Sequence, residues 1–144
     1  MLAMDVEALI ARHATRIRGA VPEGTPSVSG STLLGGYAGH DIDLVVLVPD
    51  VADAAQRLRA VYPPLYEENW RDDWAAFRLS GPPQVDIVLT KPGTKGDAHH
   101  RRAWELILAD TALRAEYERL KAAGMDSTQK RAFFERVVGM LPAP

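Results

Sequence analysis

Residues Ser29 to Val48 read SGSTLLGGYAGHDIDLVVLV. A Gly-Ser pair opens the stretch and Gly35, Gly36 and Gly39 follow. An Asp-Ile-Asp triplet then runs straight into Leu-Val-Val-Leu-Val. Asp41 to Val48 is apolar on both faces, which predicts a central rather than an edge strand. In a strand, residues i and i+2 share a face. Asp41 and Asp43 therefore project together, with Ile42 turned into the core. Two neighbouring anions repel and lose solvation, at a cost on the order of several kcal/mol unless something neutralises them. A hard divalent cation does so, Mg2+ first and Mn2+ as a substitute, because both take oxygen ligands and leave positions for substrate phosphates.

A third acid lies in QVDIVLT, Gln84 to Thr90. Asp86 sits there between apolar neighbours, inside what reads as another strand. Beside Asp43 it would complete a three-carboxylate site able to hold two metal ions for in-line displacement at phosphorus. The Gly-Ser half then has a use. A tight turn into a helical segment exposes backbone N–H groups that bind phosphate. Gly30 allows close approach, Ser31 adds a hydroxyl donor, and the later glycines let the chain double back.

Working outward, Val6, Leu9, Ile10, His13 and Ile17 follow helical spacing. Val21 to Ser27 is a loop by its Pro and Gly content, and Val28 begins a short extended piece. Val51, Ala55, Leu58, Val61 and Tyr62 mark a second amphipathic helix. PPLYEENW (Pro63 to Trp70) and WAAFRLS (Trp74 to Ser80) read as two strands around Arg71-Asp72-Asp73. Ala98 to Leu141 is helical, with Trp104, Ile107, Leu108, Leu113, Tyr117 and Leu120 on one stripe. Gly124 stops that run, and Ser127 or Thr128 caps a last helix carrying Phe133, Phe134 and Val137. The expected fold is α+β: one domain over residues 1–144, a small mixed sheet at about 27–90 and a helical tail at about 98–141.

The bulk numbers narrow the function. A chain of 144 residues suits one core. It has no cysteine, which excludes disulfides, thiolate metal sites and cysteine nucleophiles, and fits a reducing, cytoplasmic compartment. No apolar run approaches a membrane span, and the N-terminal residues lack a signal-peptide pattern. The net charge of -2 argues against a general grip on long nucleic acid.

Gly30-Ser31, the Asp41-x-Asp43 pair and Asp86 on a later strand together resemble the signature of the nucleotidyltransferase superfamily, the polymerase-beta-like fold. The resemblance implies that Gly30 and Ser31 hold the phosphates of a nucleoside triphosphate. It implies that Asp41, Asp43 and Asp86 bind Mg2+ and carry the catalysis. The C-terminal half resembles the GrpB-like branch: a histidine pair, His99-His100, precedes a helix, followed by Tyr117, Lys121, Lys130 and Phe133 at that branch's motif positions. By that resemblance His99, Lys121 and Lys130 join the phosphate-binding set. The residue types alone leave plainer roles open. His99 and His100 also read as exposed helix-start residues, Lys121 as an ion-pair partner of Glu118, and Trp70 and Trp74 as hairpin packing.

Three functions fit these expectations. The first is transfer of a nucleoside monophosphate from a triphosphate to an acceptor hydroxyl. The second is a nucleotide- or partner-binding module with the same fold and no turnover. The third is a metal-dependent phosphohydrolase. So short a chain leaves little room for an acceptor-binding domain, which favours the second reading or a site completed by a homodimer or another partner.

Overall fold

The structure is a computed structural model, and it describes residues 5–34 and 41–142. The expectations for Gly35, Gly36, Gly39, His40 and the Ser31 hydroxyl fall outside what it describes. It has the α+β architecture that the sequence predicts, with a five-stranded mixed sheet between helices.

Helix α1 (Val6–Ala20) starts where the Asp5 carboxylate accepts a hydrogen bond from the Ala8 N–H. Strand β1 (Thr25–Ser29) runs into a tight 3-10 turn, Gly30–Leu34. Strand β2 (Ile42–Leu47) ends at Asp50, which caps α2 (Val51–Leu58). Then come β3 (Pro64–Leu65), β4 (Trp74–Leu79) and β5 (Val85–Thr90). The sheet order is β1-β2-β5-β4-β3. Among the described residues only the β2–β5 pair is parallel, so the two acid-bearing strands lie side by side in the interior. The PPLYEENW segment is not a full strand. Only Pro64–Leu65 pairs with β4, and Glu67–Asn69 coils into a short turn behind Tyr66, whose φ of 52° ends the extended run.

Period-two alternation sorts the sheet into two faces. Ile42, Leu44, Val46, Val85, Ile87, Leu89, Ala75 and Phe77 enter one core with Ile17 of α1 and Ala54, Ala55 and Leu58 of α2. Asp43, Asp86, Trp74, Ala76 and Arg78 belong to the other face.

The tail is helical as expected but is not one stripe on one helix. Helix α3 (Lys95–Asp97) widens into a π turn at Ala98–Arg102 and continues as α4 (Ala103–Ala109). Asp110 ends α4 and caps α5 (Thr111–Ala122), because its side chain accepts from the Ala112 and Leu113 N–H groups. Leu108 falls outside the resulting cluster, which joins Trp104, Ile107, Leu113, Tyr117, Phe133, Phe134 and Val137. Gly124, at φ +84°, follows α5 as predicted. The cap of α6 (Ser127–Gly139) is Asp126 rather than Ser127 or Thr128. Asp126 and Gln129 form a reciprocal capping box that satisfies two backbone N–H groups, which neither hydroxyl residue is placed to do. Among the described residues no helix is long and apolar enough to cross a membrane.

Candidate active site

Strand register builds the site. Ser29 of β1 is opposite Asp43 of β2, Asp43 is opposite Asp86 of β5, and Asp86 is opposite Arg78 of β4. Residues in register share a face, so serine, two carboxylates and a guanidinium form one row across four strands. Asp41 lies just before β2, exposed, two residues from Asp43.

The turn after β1 closes over this row. Thr32 Oγ1 accepts from the Asp43 N–H at 3.2 Å and donates to the Asp41 carbonyl at 3.3 Å, which fastens the turn to the start of β2. Gly30, at φ +63°, comes so close that a Cβ there would stand 2.5 Å from Asp43 Oδ2. The close approach expected of Gly30 is therefore made toward the carboxylate itself. Ser29 Oγ donates to the His100 carbonyl and links the row to the helical tail.

Asp43 is half-buried, and its carboxyl is pushed up to about 6. Burial is the main cause, and the Asp86 and Asp41 charges add to it against the pull of Lys130 and Arg78. Asp86 is differently placed. Arg78 Nε donates to its Oδ1 at 2.7 Å and Nη2 to its Oδ2 at 3.1 Å. The Gln84 amide donates to Asp41 Oδ2 at 2.9 Å and reaches both Asp86 oxygens at 3.3–3.4 Å. The three predicted acids thus share a region without converging. Among the described residues, no three His, Asp or Glu side chains stand together as a metal site. The Arg78 cation holds both oxygens of Asp86, whereas Asp41 gives one oxygen to the neutral Gln84 amide.

The row faces a cleft of about 420 Å³ between the sheet and the helical tail. Gly30, Asp43 and Asp86 line one wall, and His99, His100, Lys130 and Arg131 line the other. Acid therefore faces base across the opening. Burial, more than the neighbouring His99 and Lys130 charges, pulls the His100 imidazole down to about 4. His99 is lowered too, by burial and then by Lys95, against the opposing charge of Glu135. At neutral pH both rings offer a hydrogen bond rather than a positive charge. Lys121 is not brought to the cleft: its Nζ lies 6.0 Å from the centre of the Tyr117 ring. Trp70 packs on Phe77 and donates to the Leu65 carbonyl, whereas Trp74 lines the cleft.

Arg78, Gln84 and Arg131 are the additions that the sequence reading missed. Arg78 was recoverable in principle. RLSGPPQVD (Arg78 to Asp86) is a hairpin, and pairing Leu79 with Val85 sets Arg78 opposite Asp86.

The acid donor set fits a hard divalent cation at Asp43 and Asp41, two oxygen donors with uncompensated charge, better than it fits a triad that includes Asp86. No family model and no curated protein matches the chain. Among solved structures, it is similar to one described as a cytoplasmic RNA terminal U-transferase, at 20% identity and a TM-score of 0.45, over 59% of this chain and 28% of that one. It is also similar to the polymerase core of TRAMP, an RNA surveillance complex, at 19% identity and a TM-score of 0.41, over 76% of this chain and 38% of that one. The chain thus aligns with well under half the length of either structure.

Proposed function

We propose that the chain is a Mg2+-dependent nucleotidyltransferase that moves a nucleoside monophosphate from a nucleoside triphosphate to an acceptor hydroxyl. The observation that carries this reading is the pairing of Asp43 with Asp86 on adjacent parallel strands, with Gly30 folded against Asp43 at the mouth of a cleft. A cation held by Asp41 and Asp43, when bound, supplies neutralisation of phosphate charge and polarisation of the α-phosphorus. The turn at Gly30 and Ser31 brings backbone N–H groups to the phosphates. Lys130 and Arg131 face the acids from α6 and attract the same anion. The acceptor oxygen bonds to the α-phosphorus, its proton passes to the nearest carboxylate, and pyrophosphate leaves.

The GrpB-like assignment rests on the histidine pair His99-His100 and on Tyr117, Lys121, Lys130 and Phe133. Two of them, Tyr117 and Phe133, are packed in the helical cluster and so speak for its packing rather than for chemistry. Of the others, His99, His100 and Lys130 line the cleft. The acceptor belongs to one of three classes: a small molecule, a protein side chain or an RNA end. The lack of cysteine favours a cytoplasmic setting.

A second reading, a binding module without turnover, is favoured by one observation: Asp86 is already engaged by Arg78. Thermal unfolding with Mg2+ and each of the four ribonucleoside triphosphates separates the two readings when followed by a turnover assay. A ligand bound only by the folded chain raises its melting temperature. A Mg2+-dependent rise with one triphosphate, lost in Asp43→Ala, together with pyrophosphate release, supports the enzyme. A rise without release, when a small hydroxyl compound, a protein and an RNA are each offered as acceptor, leaves the binding module. No rise with any triphosphate rejects the enzyme and leaves only a module that binds a partner rather than a nucleotide.

A further inference from the structure

Asp43 and Asp86 are neighbours in register, yet their oxygens are differently employed. Both oxygens of Asp86 are held by the fork of Arg78, at 2.7 and 3.1 Å, with the Gln84 amide against them. A bidentate guanidinium neutralises the charge of a carboxylate and fills most of its acceptor sites. The pair is only partly exposed, at 36% for Arg78 and 22% for Asp86. Pulling Asp86 away to bind a metal ion would break both charge-assisted bonds of that fork. Among the described residues, by contrast, no hydrogen bond is made to the Asp43 carboxylate, and the residue folded against its Oδ2 is Gly30, which has no side chain to cover it. Arg78 also lines the cleft, and its Nη1 makes no hydrogen bond among the described residues.

We infer that this site holds one divalent cation, at Asp43 and Asp41, and that Arg78, clamped on Asp86, supplies the second positive charge that an anionic substrate meets. This rests on the nucleotidyl-transfer reading. It makes Asp86 a positioning residue for Arg78 rather than a metal ligand. A planar guanidinium fixed along one edge keeps its other edge for phosphate oxygens and stays charged at any physiological pH.

The test titrates the metal-free chain with Mn2+ alone and counts bound ions from the loss of the free-ion electron paramagnetic resonance signal. One ion per chain is expected. Asp86→Asn is expected to leave the Mn2+ dissociation constant within about threefold, and Asp43→Asn to weaken it at least tenfold, roughly 1.4 kcal/mol. Arg78→Met releases Asp86 and is expected to raise the count to two. Circular dichroism confirms that each variant is folded, and the wild-type count needs no variant. Two ions on the wild-type chain overturn the inference, as does an Asp86→Asn loss equal to that of Asp43→Asn. A count that stays at one in Arg78→Met removes Arg78 as the cause. If Mn2+ does not bind while a triphosphate still stabilises the chain, this inference alone fails. If neither binds, the functional reading fails with it.

Discussion

Asp43 carries the sharpest electrostatic stress among the acids of the site, and its consequence is measurable. Its carboxyl is pushed up to about 6 by burial and by Asp86 and Asp41. In the unfolded chain the same group titrates near 3.9. Between those values the folded state binds more protons than the unfolded state, so this group makes stability fall as pH rises through the window and level off above about 6. The full shift corresponds to about 3 kcal/mol, and partial solvent access reduces that to about 2. Asp43→Asn removes the charge at nearly constant shape. In EDTA the variant should match the wild type near pH 4 and melt several degrees higher at pH 7. Melting curves at both pH values check this, and equal melting temperatures at pH 7 would show that the ionised carboxylate is already compensated. Excess Mg2+ should narrow the gap from the other side, because it stabilises only the chain that keeps the acid.

The turn Gly30–Leu34 and strand β2 act together, and it is here that the sequence was most legible. Gly-Ser before an acidic apolar strand predicted both elements, and the Asp43–Asp86 pairing was expected from one apolar strand opening with two acids and a second strand carrying one. The partners of Asp41 and Asp86 were hidden. Gln84 and Arg78 come from strand ends whose register depends on the SGPP turn, and a reading that fixes faces does not by itself fix register. The sequence did suggest a glycine at 30 for close approach but not what it approaches. Gly30→Ala meets two costs: a left-handed φ of +63°, worth about 1 kcal/mol, and a Cβ 2.5 Å from Asp43 Oδ2. The carboxylate must rotate away. The variant should lose about 1–2 kcal/mol of stability in denaturant titration and also lose most of its Mg2+-dependent thermal shift. Loss of stability with an intact Mg2+ response would mean that the turn matters to the fold alone.

At the scale of the whole molecule, the sheet and the tail each have an apolar cluster of their own, one with α1 and α2 and one among α4, α5 and α6. The cleft lies where they meet. Helical periodicity alone reported the tail as one amphipathic run, because Leu108 and Leu113 continue the pattern across the break. That break is made by the Asp110 side chain capping α5, a local hydrogen bond that a hydrophobic pattern does not encode. What the break achieves is placement. Together with the turn at Gly124 and the Asp126 cap, it brings α6 back so that Lys130 and Arg131 line the same cleft as Asp43, Asp86 and Arg78 of the sheet. A triphosphate with its cation complements both walls at once, whereas an adventitious metal ion needs only the acids. Hydrogen exchange should therefore separate two kinds of occupancy. With Mg2+ and the stabilising triphosphate, protection should rise in β2 and β5 and also in the first turns of α6. With Mg2+ alone, it should rise only around β2 and the Gly30 turn. Local opening sets these rates, so a ligand spanning the cleft slows exchange on both sides of it. Protection confined to the sheet in the presence of triphosphate would remove Lys130 and Arg131 from the substrate site. It would also leave the helical tail as a support for the sheet rather than half of a binding cleft.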